Sequence, residues 1–381
     1  MSLEKKELVE EEEANQKKVI ERVIVKEEEY RPAKLELEDL KPKYMDRQQR
    51  YNNWYFAANF THDGRDYLVK FSIREGTLMG QNKIFLSLST DPLILKQEGD
   101  VQVVQEPVND IDIVKPLEDK DFKYTEDNDK IRIEMDELTA MCRVDEWKIV
   151  SRNKRLGADL TFTPRGPSTF WGGEKNAVCE ITENTRVSGI ETLSNFEGNV
   201  IIDGKEIEVQ GRGLFERVWI GSLNFLEIRL VDWIVANFDQ MYTFLCHVES
   251  DASDGRPFHF ETGTVHLVME DDYMVAKKLE VIPEKWVYLR SAYRFIPYTQ
   301  RVKVETDKGS LEMMATLSMY PQPIDEPRRI ENLTINNITG WSALFYDAPV
   351  KLEGKFTYKN GKTVELTNGV GINEVLRILP L

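Results

Sequence analysis

The chain has 381 residues, 41% of them hydrophobic and 10% aromatic, a content that supports packed cores and a length that predicts roughly two to three domains. Fifty basic side chains against 66 acidic ones leave a formal charge of −16, so a polyanion is repelled over most of the surface and no nucleic-acid partner is expected. No apolar run reaches the roughly 18 residues of a membrane span, so no transmembrane segment is expected.

The first forty residues mix EEEE and KK runs with one apolar cluster, Val19, Ile20, Val23, Ile24 and Val25, and Pro32 ends whatever that cluster forms. Residues 1–45 are therefore read as a charged, partly helical arm, available to a protein partner. Its opening, MSLEKKELVEEEE, has no apolar h-region, and the scattered thiols of Cys142, Cys179 and Cys246 form no CxxC. Both features predict a cytoplasmic location with free, buried cysteines.

From Tyr51 the pattern becomes one of period two. Trp54–Phe60 alternates, His62-Asp63-Gly64-Arg65 turns, and Asp66–Ile73 returns to end on Arg74. Strands follow at Ile84–Ser89, Ile131–Met135, Leu138–Val144, Trp147–Ser151 and Ala158–Thr163. Between them Asp91–Asp129 is acidic and weakly periodic, and reads as an excursion over a barrel mouth or edge. Val178–Val187 and a hairpin from Val200 to Trp219, turning at Asp203-Gly204, complete a first module.

The second half repeats the plan. Strands are expected at Phe225–Phe238, Met241–Glu249, Phe258–Met269, Val275–Ile282, Trp286–Leu289, Gln300–Glu305, Leu311–Ser318 and Ser342–Tyr346. A closing hairpin then turns at Asn360-Gly361. Both hairpins open Glu-Gly, climb to a Gly-x-Gly step (Gly211/Gly213 and Gly369/Gly371) and carry a glutamate three residues later, Glu216 or Glu374. At the front end Trp54 to Phe60 is answered by Trp233 to Phe238. The Gly-x-Gly steps, with no helix after them to cradle a phosphate, read as strand kinks or bulges. The chain is thus expected to be all-β, two tandem antiparallel barrels or barrel-like sandwiches spanning 46–220 and 221–381.

Familiar catalytic signatures are missing. His62, His247, His259 and His266 have no metal-ligand spacing, and neither a nucleophile elbow nor a P-loop is present, so no metal site and no cofactor are expected. What remains is Glu216-Arg217-Val218-Trp219 followed by Asp232-Trp233. Strand alternation puts Glu216 and Val218 on one face, Arg217 and Trp219 on the other. A carboxyl in apolar surroundings keeps its proton and can donate it; the same residues also serve as a structural ion pair where two modules meet.

Several of these residues carry a resemblance. Asn53-Trp54-Tyr55-Phe56, the Asp63-Gly64-Arg65 turn, Thr185-Arg186-Val187-Ser188-Gly189, and the stretch from Tyr346-Asp347-Ala348-Pro349-Val350 to Glu374 resemble the lipocalin-like hydroxyneurosporene synthase superfamily. That group includes carotenoid 1,2-hydratases, AttH-like proteins and, more distantly, kievitone hydratase and fungal Diels–Alderase-type pericyclases. The resemblance implies two lipocalin-like domains, an apolar ligand in one barrel or at their junction, and no cofactor. Where many members read Asp-His-Glu-Trp this chain has Glu216-Arg217-Val218-Trp219, and a permanently charged Arg217 is a poor acid or base.

Three functions fit these residues. The leading expectation is a binder of a lipophilic small molecule, with Arg217, Trp219, Trp233, Tyr242, Trp54, Tyr55 and Tyr346 around the ligand. The second is a cofactor-free hydratase, cyclase or isomerase with Asp232 and Glu216 as its acids. The third is a scaffold with filled barrels.

Overall fold

The computed structural model describes residues 32, 34–44, 51–76, 82–172, 178–182, 185–222, 228–251, 257–323 and 341–380. Its first strands are β1 (Asn52–His62), β2 (Arg65–Glu75), β3 (Asn82–Ser89), β4 (Leu95–Glu98), β5 (Val101–Val104), β6 (Ile111–Leu117), β7 (Phe122–Asp127) and β8 (Lys130–Met135). There follow β9 (Leu138–Cys142), β10 (Trp147–Arg152), β11 (Leu156–Pro164), β12 (Thr169–Phe170), β13 (Val178–Thr182), β14 (Thr185–Ile202) and β15 (Lys205–Ser222). The rest are β16 (Ile228–Asn237), β17 (Met241–Asp251), β18 (Pro257–Leu267), β19 (Asp272–Val275), β20 (Lys278–Leu289), β21 (Arg294–Glu305), β22 (Gly309–Leu317), β23 (Gln322–Pro323), β24 (Trp341–Tyr358) and β25 (Thr363–Pro380).

These strands form two sheets. One runs β6-β3-β2-β1-β15-β14-β11-β10-β9-β8-β7, the other β19-β18-β17-β16-β25-β24-β22-β21-β20-β5-β4. The protein is all-β, as expected, with the long hairpins β14–β15 and β24–β25 at the centre of each sheet. The weakly periodic excursion covers both edges: β6 extends the first sheet, while the β4–β5 hairpin crosses to the second and pairs in parallel with β20. Among the described residues no helix is long and apolar enough to cross a membrane.

The first sheet curls around its own side chains. Alternation sends Trp54, Phe56, Ala58 and Phe60 of β1 to the concave face, where Phe71, Trp147, Phe162 and Phe215 fill the interior. Trp147 stacks on Phe215 at 4.7 Å. A single helical turn, α1 (Leu37–Leu40), closes one end: Leu35 and Leu40 are buried, and Trp54 Nε1 donates to the Leu40 carbonyl at 3.0 Å. The Val19–Val25 cluster of the arm lies outside the described residues.

Turn chemistry separates the two hairpins. Asp203 and Gly204 both adopt left-handed φ, 47° and 84°, as a two-residue turn requires. In the second copy only Gly361 does, at 87°, within a wider loop in which Tyr358 N donates to the Lys362 carbonyl. The slip this introduces is corrected by a bulge at Asn368 (φ 53°), where the β24–β25 register shifts between Leu352 and Gly354. The Gly-x-Gly steps are places of close approach. A Cβ on Gly211 would lie 2.2 Å from the Asn59 carbonyl oxygen, and one on Gly371 equally close to that of Val235.

Register also corrects the pairing of the two modules. Tyr55 faces Glu216 and Trp233 faces Glu374, so Tyr55, not Trp54, is the counterpart of Trp233. The front-end match skips one residue, and that single residue decides which face each tryptophan occupies.

Candidate functional site

The convex faces of the two sheets pack on each other through Tyr55, Leu68, Trp171, Leu214, Trp233, Tyr242, Phe244 and their neighbours. Within this layer lies a cavity of about 150 Å³. Its walls come from matching positions of the repeat: Tyr55, Glu216 and Val218 from the first sheet, Trp233, Glu374 and Leu376 from the second. Trp171 meets Trp233 edge to face at 4.2 Å, and Phe244 backs both rings. Gly189 makes this possible, since a Cβ there would fall 2.2 Å from the Trp171 ring.

Acids face one another across the two hairpins that border the cavity. Glu191 lies directly opposite Glu216 across β14–β15, and Asp347 directly opposite Glu374 across β24–β25. Four carboxyls therefore meet at the junction, facing two bases, Lys70 and Arg74, among the described residues. Lys70 Nζ binds Asp347 Oδ2 at 2.8 Å with both groups buried, and Tyr55 Oη donates to the same oxygen at 3.4 Å. Arg74 lies over Phe85 and donates from Nε to Ser72 Oγ at 2.9 Å, and Ser72 in turn donates to Asn53 Oδ1.

Glu191 and Glu216 bind their protons more tightly than ordinary carboxyls. Burial drives the Glu191 carboxyl up to about 8; a hydrogen bond with Glu216 and one from Trp233 Nε1, 3.4 Å from Oε1, oppose the rise without cancelling it. Burial likewise lifts Glu216 well above the carboxylate range; Glu191, through its charge once ionised and through the hydrogen bond between the two carboxyls, and the Asp347 charge add to the effect. Both carboxyls are thus biased toward the neutral acid. Tyr55 is pushed up too, first by burial and then by Asp347 and Glu216.

The residues singled out from sequence divide between the two faces. Glu216, Tyr55 and Trp233 line the cavity. Arg217, Trp54 and Trp219 lie on the concave side of the first sheet. There the Arg217 guanidinium rests 4.1 Å from the Trp54 ring and donates to the carbonyls of Leu40, Lys41, Asn53 and Val218. Burial depresses Arg217 to about 9, and its role is to tie α1 to the sheet. Asp232 points to the concave side of the second sheet. Burial disfavours its charge, but Arg377, 2.8 Å away, and His247 more than offset this and hold it below the usual range. Tyr346 belongs to the interior cluster on that same side. Tyr242 packs at the junction beyond the cavity, its hydroxyl donating to the Pro167 carbonyl at 3.2 Å.

Sequence reasoning passed over Glu191, Asp347, Lys70 and Trp171. For Glu191 a signal existed: counting outward from the Asp203-Gly204 turn places it opposite Glu216. Lys70 and Trp171 had none, because their partners are distant in sequence. Among the described residues no group of three His, Cys, Asp or Glu side chains is placed to hold a metal ion.

Neither a protein-family model nor a curated protein matches the chain. Solved structures do. An AttH-like protein from Nitrosomonas europaea superposes with a TM-score of 0.56 at 13% identity, covering 88% of this chain and 98% of that one. Kievitone hydratase from Nectria haematococca gives 0.53 at 10% identity, covering 92% and 98%. CghA gives 0.56 at 11% identity, covering 94% and 95%, and it has also been crystallised with Sch210972. The chain therefore has the all-β, lipocalin-like fold of the AttH-like, kievitone hydratase and CghA proteins, the group its sequence motifs resemble.

Proposed function

We propose that the protein binds a lipophilic small molecule in the junction cavity and transforms it, without a cofactor, by proton transfer from Glu216. The observation that carries this reading is Glu216, a buried carboxyl on the aromatic wall of the cavity, backed across β14–β15 by a second buried carboxyl, Glu191. A volume of about 150 Å³ matches a body of roughly benzene size, so the cavity takes a small molecule or the reactive end of a longer one. The similarity to kievitone hydratase and CghA supports chemistry of the hydratase or cyclase kind.

The step balances with groups the site provides plus water. Glu216 gives its proton to an alkene carbon, and the resulting cation is stabilised by the aromatic rings of the cavity wall, Tyr55 and Trp233. Water adds its oxygen to the cation and returns a proton to Glu216, restoring the acid. Where the substrate supplies its own nucleophilic carbon or oxygen, the same protonation closes a ring. Glu191 behind Glu216 keeps the pair supplied with a proton, and the Lys70–Asp347 ion pair orients the Tyr55 hydroxyl. Asp232, tied to Arg377, serves the second sheet and takes no part in the proton transfer.

A carrier without turnover is the second reading, favoured by the aromatic walls, which hold an apolar body whether or not an acid acts on it. Organic extraction of natively purified protein, with mass spectrometry of the extract, identifies the ligand for a turnover assay. Glu216→Gln is expected to lower turnover about 10²–10⁴-fold while the extract still contains ligand. Wild-type protein that returns the compound unchanged establishes the carrier, and full turnover by Glu216→Gln removes Glu216 as the acid.

A further inference from the structure

Away from the junction, exposed apolar side chains gather on the hairpin β20–β21. Ile282, Trp286, Tyr293 and Phe295 are 40, 51, 58 and 53% exposed. Trp286 lies opposite Pro297 and Tyr288 opposite Phe295, so these rings share the outer face, with Tyr288 and Phe295 edge to face at 5.3 Å. The tip is a 3₁₀ turn, Arg290–Ala292, followed by Tyr293 in the left-handed region at φ 51°. A bulky residue rarely adopts that conformation. Contiguous exposed aromatics of this kind mark an interaction surface.

Charge distinguishes the hairpin from the rest of the molecule. From Lys285 to Gln300 there are three bases and no acid, within a chain whose net charge is −16. Arg290 is paired with Glu98 at 2.7 Å, whereas Lys285 and Arg294 have no carboxylate partner among the described residues. Register places the tip at the end of the second sheet where β24 begins and β25 ends, the end that carries the cavity residues Phe345 and Leu376.

We propose that the tip of β20–β21 docks on an anionic lipid bilayer. Tryptophan and tyrosine settle at the headgroup level, where their rings meet the acyl boundary and their polar edges stay wet. Lys285 and Arg294 are drawn to an anionic surface, while the acidic remainder is repelled by it, so the molecule is held tip-down. A protein partner would not require the two unpaired cations to border the rings. Docking stands independently of whether the cavity ligand is turned over.

Co-sedimentation of the full chain with phosphatidylcholine vesicles, with and without about 30 mol% phosphatidylserine, tests this. Binding is expected on the anionic vesicles and to weaken steeply with salt. Lys285→Gln with Arg294→Gln is expected to lower it about thirtyfold. Trp286→Ser with Phe295→Ser, both at exposed positions, is expected to abolish binding with an unchanged melting temperature. Equal binding to both vesicle types, retention of binding by the Trp286/Phe295 variant, or no binding to either overturns the proposal. Concentration-dependent self-association without lipid that the same variant loses assigns the surface to a protein contact and overturns it as well.

Discussion

Gly189 shows how much of the cavity rests on a single missing methyl group. The Trp171 ring lies flat on its backbone, and a Cβ there would overlap that ring at 2.2 Å. Gly189→Ala is expected to displace Trp171 from Trp233, destabilise the fold by about 1–3 kcal/mol and release any ligand recovered from the wild type. Ligand retained in full by a folded Gly189→Ala protein would exclude Trp171 as a wall. Arg217 makes a different point. Its residue type suggested a ligand-positioning group, yet it is fully buried among carbonyl oxygens on the far side of β15 from the cavity. Alternation read from the sequence already put Arg217 opposite in direction to Glu216. It did not say which direction faced the cavity.

At the scale of elements the repeat is legible, and its departures are informative. Register makes Gln300 the counterpart of Trp147, Asn373 of Phe215 and Ala315 of Phe162. Where the first sheet stacks aromatic rings, the second has a hydrogen bond from Asn373 Nδ2 to Gln300 Oε1 and leaves Gln300 Nε2 and Asn373 Oδ1 unsatisfied. Gln300→Ala strands the Asn373 amide as well, and is expected to cost about 1–3 kcal/mol. The double change to Gln300→Leu and Asn373→Leu removes both polar groups and is expected to be neutral or stabilising. Denaturant titration of both proteins checks the pair; a double variant less stable than Gln300→Ala would mean the polar layer holds the sheet in shape. The strand patterns themselves were readable, but β24 and β25 run 18 residues each without interruption, longer than their alternation showed. The Asn368 bulge was invisible, because a bulge changes register without changing composition.

For the molecule as a whole, buried titratable groups set the pH dependence of stability. Glu191 rises from 4.5 to about 8 on folding, so the folded chain holds a proton that the unfolded chain has released. The stability this contributes is complete below pH 4.5 and is lost as pH rises toward 8, at about 1.4 kcal/mol per pH unit. Glu216 acts in the same direction. His266, buried between Tyr242 and Tyr273, is depressed from 6.5 to about 3 and acts oppositely, its contribution lost as pH falls from 6.5 to 3. The two slopes oppose each other between pH 4.5 and 6.5, and above 6.5 the acids act alone. The melting temperature is therefore expected to fall from pH 6.5 to 8, and Glu191→Gln to flatten that fall by one proton's worth. A variant with the wild-type slope would show that Glu191 ionises normally.

The sequence by itself determined the all-β class, the turn at Asp203-Gly204 and the matching places of Glu216 and Glu374 on their hairpins, because strand alternation and turn chemistry act between near neighbours. It also placed Glu216 and Arg217 on opposite faces. Only the tertiary structure decided that the convex faces, not the curled interiors, enclose the cavity. The same holds for Lys70 meeting Asp347 and Trp171 meeting Trp233, and for Asp232 pairing with Arg377. Those partners are brought together by the packing of one sheet on another, or by strands remote in the chain, and no local pattern encodes such an encounter. Burial at that junction, rather than residue type, is what raises Glu191 and Glu216 above the usual carboxylate range.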